Sequence, residues 1–117
     1  MSDLTDGLNA FKNKDYAAAM TVLMPLAEQG NPEAQCVIAN LYHLGLGVAV
    51  NIDTAIKWYR KSAEQGYGVA SNNLGSIFLA GDYGGSPDCE EAKKWYQKAR
   101  EQGFDHTPAS ANDLDLN

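Results

Sequence analysis

Few side chains in this 117-residue sequence are of types that do chemistry. Ser76 and His43 are the pair that suits nucleophilic catalysis, a hydroxyl to attack and an imidazole to take its proton. Such a site also needs a group to orient the imidazole and donors to hold an oxyanion. The sequence sets no clear acid behind His43 and no donor pair near Ser76. Cys36 and His43 fall on one helical face, but seven residues of helix rise about 10 Å, too far to share a metal without further ligands. Cys36 and Cys89 are the two cysteines, too few and too separated for a disulfide framework or a zinc site. Gly84-Gly85-Ser86 is glycine-rich, yet no lysine follows it, so it reads as a turn and not as a phosphate cradle. His-Glu-x-x-His, Cys-x-x-Cys and Gly-x-Ser-x-Gly are all missing. The expectation is no catalysis, no cofactor and no metal.

What must position these residues is a repeat. Leu-Ala-Glu-Gln-Gly at 26–30 returns as Ser-Ala-Glu-Gln-Gly at 62–66 and Ala-Arg-Glu-Gln-Gly at 99–103, spacings of 36 and 37. The run from Ala55 to Lys61 lies over Ala92 to Lys98, and Ala19 to Pro25 is a weaker first copy. A second block also recurs, with Ala34, Ile38, Ala39, Tyr42 and Gly45 over Ala70, Leu74, Gly75, Phe78 and Gly81, offset by 36. In this register His43 and Ser76 occupy nearby exposed positions on neighbouring helices. The register slips by one only in the connection, where 82–88 has seven residues against six in 46–51.

Within each block the apolar positions fall at i, i+3, i+4, i+7 and i+8, as in Ala34, Val37, Ile38, Leu41 and Tyr42, the pattern of an amphipathic helix. Asp15, Asn51 and Asp88 hold one place in the three copies, each able to cap the free amides of a first turn. Asp88 with Glu91 has capping-box spacing. Asn31-Pro32 reads as an N-cap followed by proline at the first helical position, and Gly30, Gly66 and Gly103 stand where a chain leaving a helix takes a positive φ. Pro25 is expected to kink its helix or cost it one hydrogen bond. The pattern predicts helices over about 4–13, 16–29, 32–44, 52–65, 69–80 and 89–102, an all-α fold of three helical hairpins. A lone hairpin cannot bury its apolar stripe, and about three stacked units is the usual minimum. Small residues at Ala39 and Gly75 let paired helices approach, while Trp58, Tyr59, Trp95 and Tyr96 fill the space between layers.

At these residues the sequence resembles the Sel-1-like repeat proteins, a branch of the tetratricopeptide superfamily. The family pattern is matched by Ala34-Gln35, Ile38-Ala39, Tyr42, Gly45-Leu46-Gly47-Val48 and the run from Ala55 to Gly66. The second copy departs in its loop, where Asp82-Tyr83-Gly84-Gly85-Ser86-Pro87 replaces Gly-Val. Residues 4–30 resemble the incomplete first repeat of bacterial members. The resemblance implies a right-handed α-α superhelix of three helix-turn-helix repeats, about 4–30, 31–66 and 67–103, in a domain ending near 104, with an acidic tail over 105–117. After Gly103, Phe104 is expected to cover the last hairpin and residues from about 107 to lack a stable helix, the alternative being that Leu114 and Leu116 fold back to cap it.

The resemblance also implies a function. In this superfamily the first helix of each hairpin lines a concave face, and setting Ala39 and Gly75 at the small-residue position assigns that face. Glu33, Cys36, Asn40, His43 and Leu44 then face it from one repeat, and Asn72, Asn73, Ser76 and Leu79 from the next, with Val69 and Ala80 at its border. Asn40 and Asn73 resemble asparagines that grip a peptide backbone in tetratricopeptide domains. A carboxamide suits that work because it donates and accepts at once. The basic residues of the carboxylate-clamp version are missing, which argues against a chaperone C-terminal tail as ligand. The cysteines lack the regular spacing of the secreted, cysteine-rich members, so β-lactamase-type activity is not implied. The expected function is a non-catalytic adaptor or scaffold that binds a protein or extended peptide. Its alternatives are a toxin-neutralising, immunity-type inhibitor and a small hydrolase using Ser76 and His43.

Charge narrows the partners. Fifteen acidic residues against nine basic ones leave a net −6, with Asp105, Asp113 and Asp115 unopposed in the tail, so neither nucleic acid nor an anionic membrane is expected to bind. Lys57, Arg60, Lys61, Lys93, Lys94 and Lys98 lie on the second helices beside glutamates and read as solvated faces. The beginning of the chain is acidic where a secretory signal is basic and then apolar. The expected location is the cytoplasm, although an exported form with its signal removed would read the same.

Overall fold

The structure, a computed structural model, describes residues 3–104. The expected tail over 105–117 lies outside these residues. The described chain is all-α, with six helices: α1 (Leu4–Lys12), α2 (Tyr16–Glu28), α3 (Pro32–Leu44), α4 (Ile52–Glu64), α5 (Gly68–Ala80) and α6 (Cys89–Glu101). Two compact units divide it, Met1–Ser62 and Ala63–Asn117, and the boundary falls near the C-terminal end of α4.

Short polar side chains start most of these helices by accepting a hydrogen bond from a first-turn amide, which would otherwise have no partner. Asp15 accepts from Ala18 N at 3.2 Å, Asn31 from Ala34 N at 2.9 Å, Asn51 from Thr54 N at 3.0 Å and Asp88 from Glu91 N at 3.0 Å. The box expected at Asp88 and Glu91 is only half formed. Glu91 Oε2 instead accepts from Trp95 Nε1 at 3.0 Å and pairs with Lys94 at 3.6 Å, so its carboxylate points along the helix and not back to the cap. The complete box is at α1, where Asp3 and Asp6 cap each other's amides. α5 has no side-chain cap. It begins at Gly68, where a Cβ would stand 2.7 Å from Phe104 Cβ and 3.1 Å from the Ala99 carbonyl.

The helix ends repeat as the sequence does. Asn31 N–H reaches Leu26 O while Gly30 N–H reaches Ala27 O, and Phe104 and Gly103 do the same to Ala99 and Arg100. These paired bonds need a residue with positive φ between helix and exit, and Gly30 and Gly103 supply φ of 104° and 92°. α2 continues through Pro25 to Glu28. Proline has no N–H for the Thr21 carbonyl, so the loss is one bond within the last two turns.

In the first unit α2 packs against both α1 and α3. Its core is Ala19, Leu23 and Ala27 of α2 with Ala34, Val37, Ile38 and Leu41 of α3, closed over by Leu4, Leu8 and Phe11 of α1 and by Trp58 of α4. In the second unit α5 and α6 pack as a pair, burying Leu74, Ile77 and Phe78 together with Ala92, Trp95, Tyr96 and Ala99. Each leucine, isoleucine, valine or phenylalanine among them contributes roughly 1.5–3 kcal/mol when taken out of water, before the entropy of ordering it is subtracted.

The close approach at Gly75 is real: a Cβ there would lie 2.8 Å from Cδ1 and Cε1 of the Tyr96 ring. The incomplete first repeat has its own version at Gly7, where a Cβ would lie 2.6 Å from Leu23 Cγ. In register, then, the small residues Gly7, Ala39 and Gly75 oppose Leu23, Tyr59 and Tyr96. The two connections also open and close alike despite their unequal lengths. Leu46 and Asp82 donate to Leu41 and Ile77 carbonyls, and the capping residues Asn51 and Asp88 donate to Tyr42 and Phe78. The extra residue is absorbed between these anchors, where the Tyr83 ring packs 5.1 Å from Phe78 and its hydroxyl donates to Ser86 O.

Candidate functional site

Of the expected contact residues of α3, Glu33, Asn40 and His43 are half-buried and Leu44 is 60% exposed. Cys36 departs from its expected place. It is 3% exposed, because α3 is buried without a break from Ala34 to Ala39, and it has almost no surface to offer a partner. Asn40 and His43 come together through a residue that the sequence assigned only to packing. Tyr59 of α4 is fully buried, and its hydroxyl donates to Asn40 Oδ1. The Tyr59 hydroxyl oxygen lies 3.4 Å from His43 Nδ1, with the Tyr59 and His43 rings edge to face, centroids 6.0 Å apart.

The second unit builds a counterpart on α5. Ser76 is exposed, and its Oγ lies 3.1 Å from the hydroxyl of buried Tyr96 and 3.3 Å from the Asn72 carbonyl. Asn72, Asn73 and Leu79 are half-buried. Asn72 Oδ1 is buried with no hydrogen-bond partner among the described residues. Ser76 and His43, offered by the sequence as nucleophile and base, thus each bond to a buried phenol within their own unit.

A regularity across the three hairpins was missed in the sequence. One residue after each small position stand Leu8, Asn40 and Ser76. Where the opposing side chain is Leu23 the neighbour is leucine, and where it is tyrosine the neighbour is polar and takes the hydroxyl. A buried phenol needs a partner for its O–H, so the tyrosines dictate what sits on the first helix. The signal was legible: tyrosine, not phenylalanine, follows tryptophan in both full copies.

Elsewhere the surface carries charge. Lys57, Arg60, Lys61 and Lys94 are exposed. Lys61 Nζ lies 5.4 Å from the centroid of the Trp58 ring, and Lys94 and Lys98 Nζ lie 5.3 and 5.5 Å from that of Trp95, within the reach of a cation–π contact. Among the described residues no three His, Cys, Asp or Glu side chains group to hold a metal, and no helix is long and apolar enough to cross a membrane.

The profile of the Sel1 repeat matches residues 32–67 and 68–104. The chain belongs to the Sel1 repeat family. It shares its fold with a Sel1 repeat protein from Oxalobacter formigenes, at 46% identity and a TM-score of 0.78, over 86% of this chain and 41% of that one. It is also similar to c5321, a protective antigen present in uropathogenic Escherichia coli strains and displaying an SLR fold, at 34% identity and a TM-score of 0.73, over 86% of this chain and 21% of that one. The Sel1 repeat chain described here therefore spans less than half the length of either. No curated protein matches it. Its six described helices, packed as pairs, share the SLR fold of these bacterial proteins over 86% of this chain.

Proposed function

We propose that this Sel1 repeat chain is a non-catalytic protein-interaction module, an adaptor or scaffold that takes a protein segment or extended peptide on the first helices of its repeats. α3 offers Glu33, Asn40, His43 and Leu44 for this, and α5 offers Asn72, Asn73, Ser76 and Leu79. Sel1 repeats usually mediate protein binding and usually lack catalysis. The observation that carries the reading is on α3, where Leu44, 60% exposed, stands one residue from His43 and four from Asn40, polar groups held in place from beneath by Tyr59. An apolar contact beside oriented polar groups is what recognition of a peptide uses. Hydrolysis is disfavoured because Ser76 and His43 are each engaged with a phenol hydroxyl. The location proposed is the cytoplasm, in keeping with two cysteines that form no disulfide.

The test is capture of a partner from the source organism's extract on the tagged chain, followed by titration of the purified partner. Asn40→Ala removes a neutral hydrogen bond worth ~1 kcal/mol and lowers affinity several-fold, while Lys57→Ala on α4 leaves it unchanged. A partner that responds to Lys57→Ala and ignores Asn40→Ala binds elsewhere and refutes this assignment.

A further inference from the structure

α5 carries no charged residue from Gly68 to Ala80, and within it the carboxamide of Asn72 is left unused by the fold. The side chain is half-buried, its Oδ1 is shut from solvent, and neither that oxygen nor Nδ2 has a hydrogen-bond partner among the described residues. A carboxamide oxygen buried without a donor costs folding free energy, and most native groups avoid it. One turn along, Ser76 also has capacity to spare. Its proton goes to the Asn72 carbonyl at 3.3 Å, because the buried Tyr96 hydroxyl, 3.1 Å away, needs Ser76 Oγ as acceptor for its own proton. The exposed Ser76 oxygen therefore gives nothing outward and keeps a lone pair.

We infer that Asn72, with Ser76 beside it, is a subsite for a neutral carboxamide side chain, a glutamine or asparagine of the bound segment. The group must bring donors, because the Asn72 oxygen and the Ser76 lone pair both accept. It must be uncharged, because a cation desolvated on α5 meets no carboxylate of that helix. It must project, because the Asn72 oxygen lies below the surface, where a backbone N–H recessed between its own side chains does not enter. A primary carboxamide meets all three demands, with one N–H for Asn72 Oδ1, the second for Ser76 Oγ, and a carbonyl to accept from Asn72 Nδ2. The terminal torsion of asparagine is broad, so the Asn72 group turns outward to make the pair. Asn72 is thus kept for binding, and the fold would be firmer without it. The subsite belongs to α5 alone, since the place of Asn72 is held in register by Cys36 on α3 and Leu4 on α1. This choice of ligand deepens the binding role proposed above and rests on it.

The experiment titrates the full chain, labelled with 15N, with N-acetylglutamine methylamide. Beside it run N-acetylmethionine methylamide, whose side chain has similar reach and no donor, and N-acetylglutamate methylamide, whose side chain has acceptors alone. Backbone amides are common to the three probes, so the side chain decides. The glutamine probe is expected to move the Asn72 side-chain and Ser76 amide resonances saturably and to bind about fivefold tighter than the other two, the worth of one net neutral hydrogen bond. Asn72→Ala should erase that preference and unfold in urea at the same or a higher midpoint, because alanine is the better helix former and no bond is lost. Equal affinity for the three probes, or a preference that survives Asn72→Ala, overturns the proposal. An Asn72→Ala chain that unfolds earlier or does not fold shows that the carboxamide already serves the fold, and overturns it too. A protein partner that ignores Asn40→Ala and responds to Lys57→Ala refutes the binding role instead, and the probe titrations, run without that partner, stand apart from it.

Discussion

Gly75→Ala sets two effects of similar size against each other. A Cβ at Gly75 would lie 2.8 Å from Cδ1 and Cε1 of Tyr96 and 3.1 Å from Cγ. Carbon contacts settle near ~3.5–4.0 Å, so ring and helix must part by roughly 0.7 Å. The ring cannot swing aside, since Tyr96 is 1% exposed and its hydroxyl is bonded to Ser76. Forcing a methyl into such a core costs about 1–3 kcal/mol, while alanine recovers up to ~1 kcal/mol over glycine in a helix interior. Alanine already fills this place at Ala39, fully buried in the repeat before, which puts the cost in the lower half of the range. The net expectation is a loss of up to ~1 kcal/mol, a fall in Tm that reaches about 4–8 °C at that upper end for a domain of this size. Urea titration followed by circular dichroism, with the thermal melt beside it, measures both. A variant stabilised by the propensity gain alone would refute the reasoning, because α5 and α6 would then not be held together across this ring.

Asn40→Ala should cost stability as well as affinity. The Tyr59 hydroxyl loses its hydrogen bond to Asn40 Oδ1, a loss of ~1 kcal/mol that the better helix propensity of alanine offsets only in part. Urea melts should show a small net destabilisation, against no change beyond about 0.5 kcal/mol for Lys57→Ala. Gln102→Ala removes the bonds from Gln102 Nε2 to Ala63 O at 3.0 Å and from Ser71 Oγ to Gln102 Oε1 at 2.6 Å, leaves the buried Ser71 hydroxyl to be placed, and should cost about 2 kcal/mol in the same assay. Asn51→Ala deletes the cap on Thr54 N and should lower stability by ~1 kcal/mol, with Asn51→Asp restoring most of it.

The periodicity of apolar residues and the recurring Gly at 30, 66 and 103 placed all six helices in the sequence, within a residue at each end. Caps and helix-ending glycines act over three or four residues, and a local interaction leaves a local pattern. Gly75 could be read as a close approach because small residues repeat in register with Ala39. Gly7 could not, because the first connection is shorter and hides the register.

Three things were settled by tertiary structure. Cys36 went to the interior, since which part of a helix surface is covered depends on what packs over it and not on the helix's own period. Asn40, legible as an exposed amide able to donate and accept, has its oxygen committed to a hydroxyl nineteen residues away. Carbonyls near the ends of α2 and α4 show the same division. Gln35 Nε2 reaches Ala27 O at 3.0 Å, and at the matching carbonyl of Ala63 the amide comes from Gln102, because the residue in register with Gln35 is Ser71, too short to reach. Helices and their ends were determined by the sequence alone because each rests on neighbours along the chain. The partners of buried polar groups were decided by the fold, because only packing brings distant donors and acceptors within 3 Å and takes away the water that would otherwise serve either one.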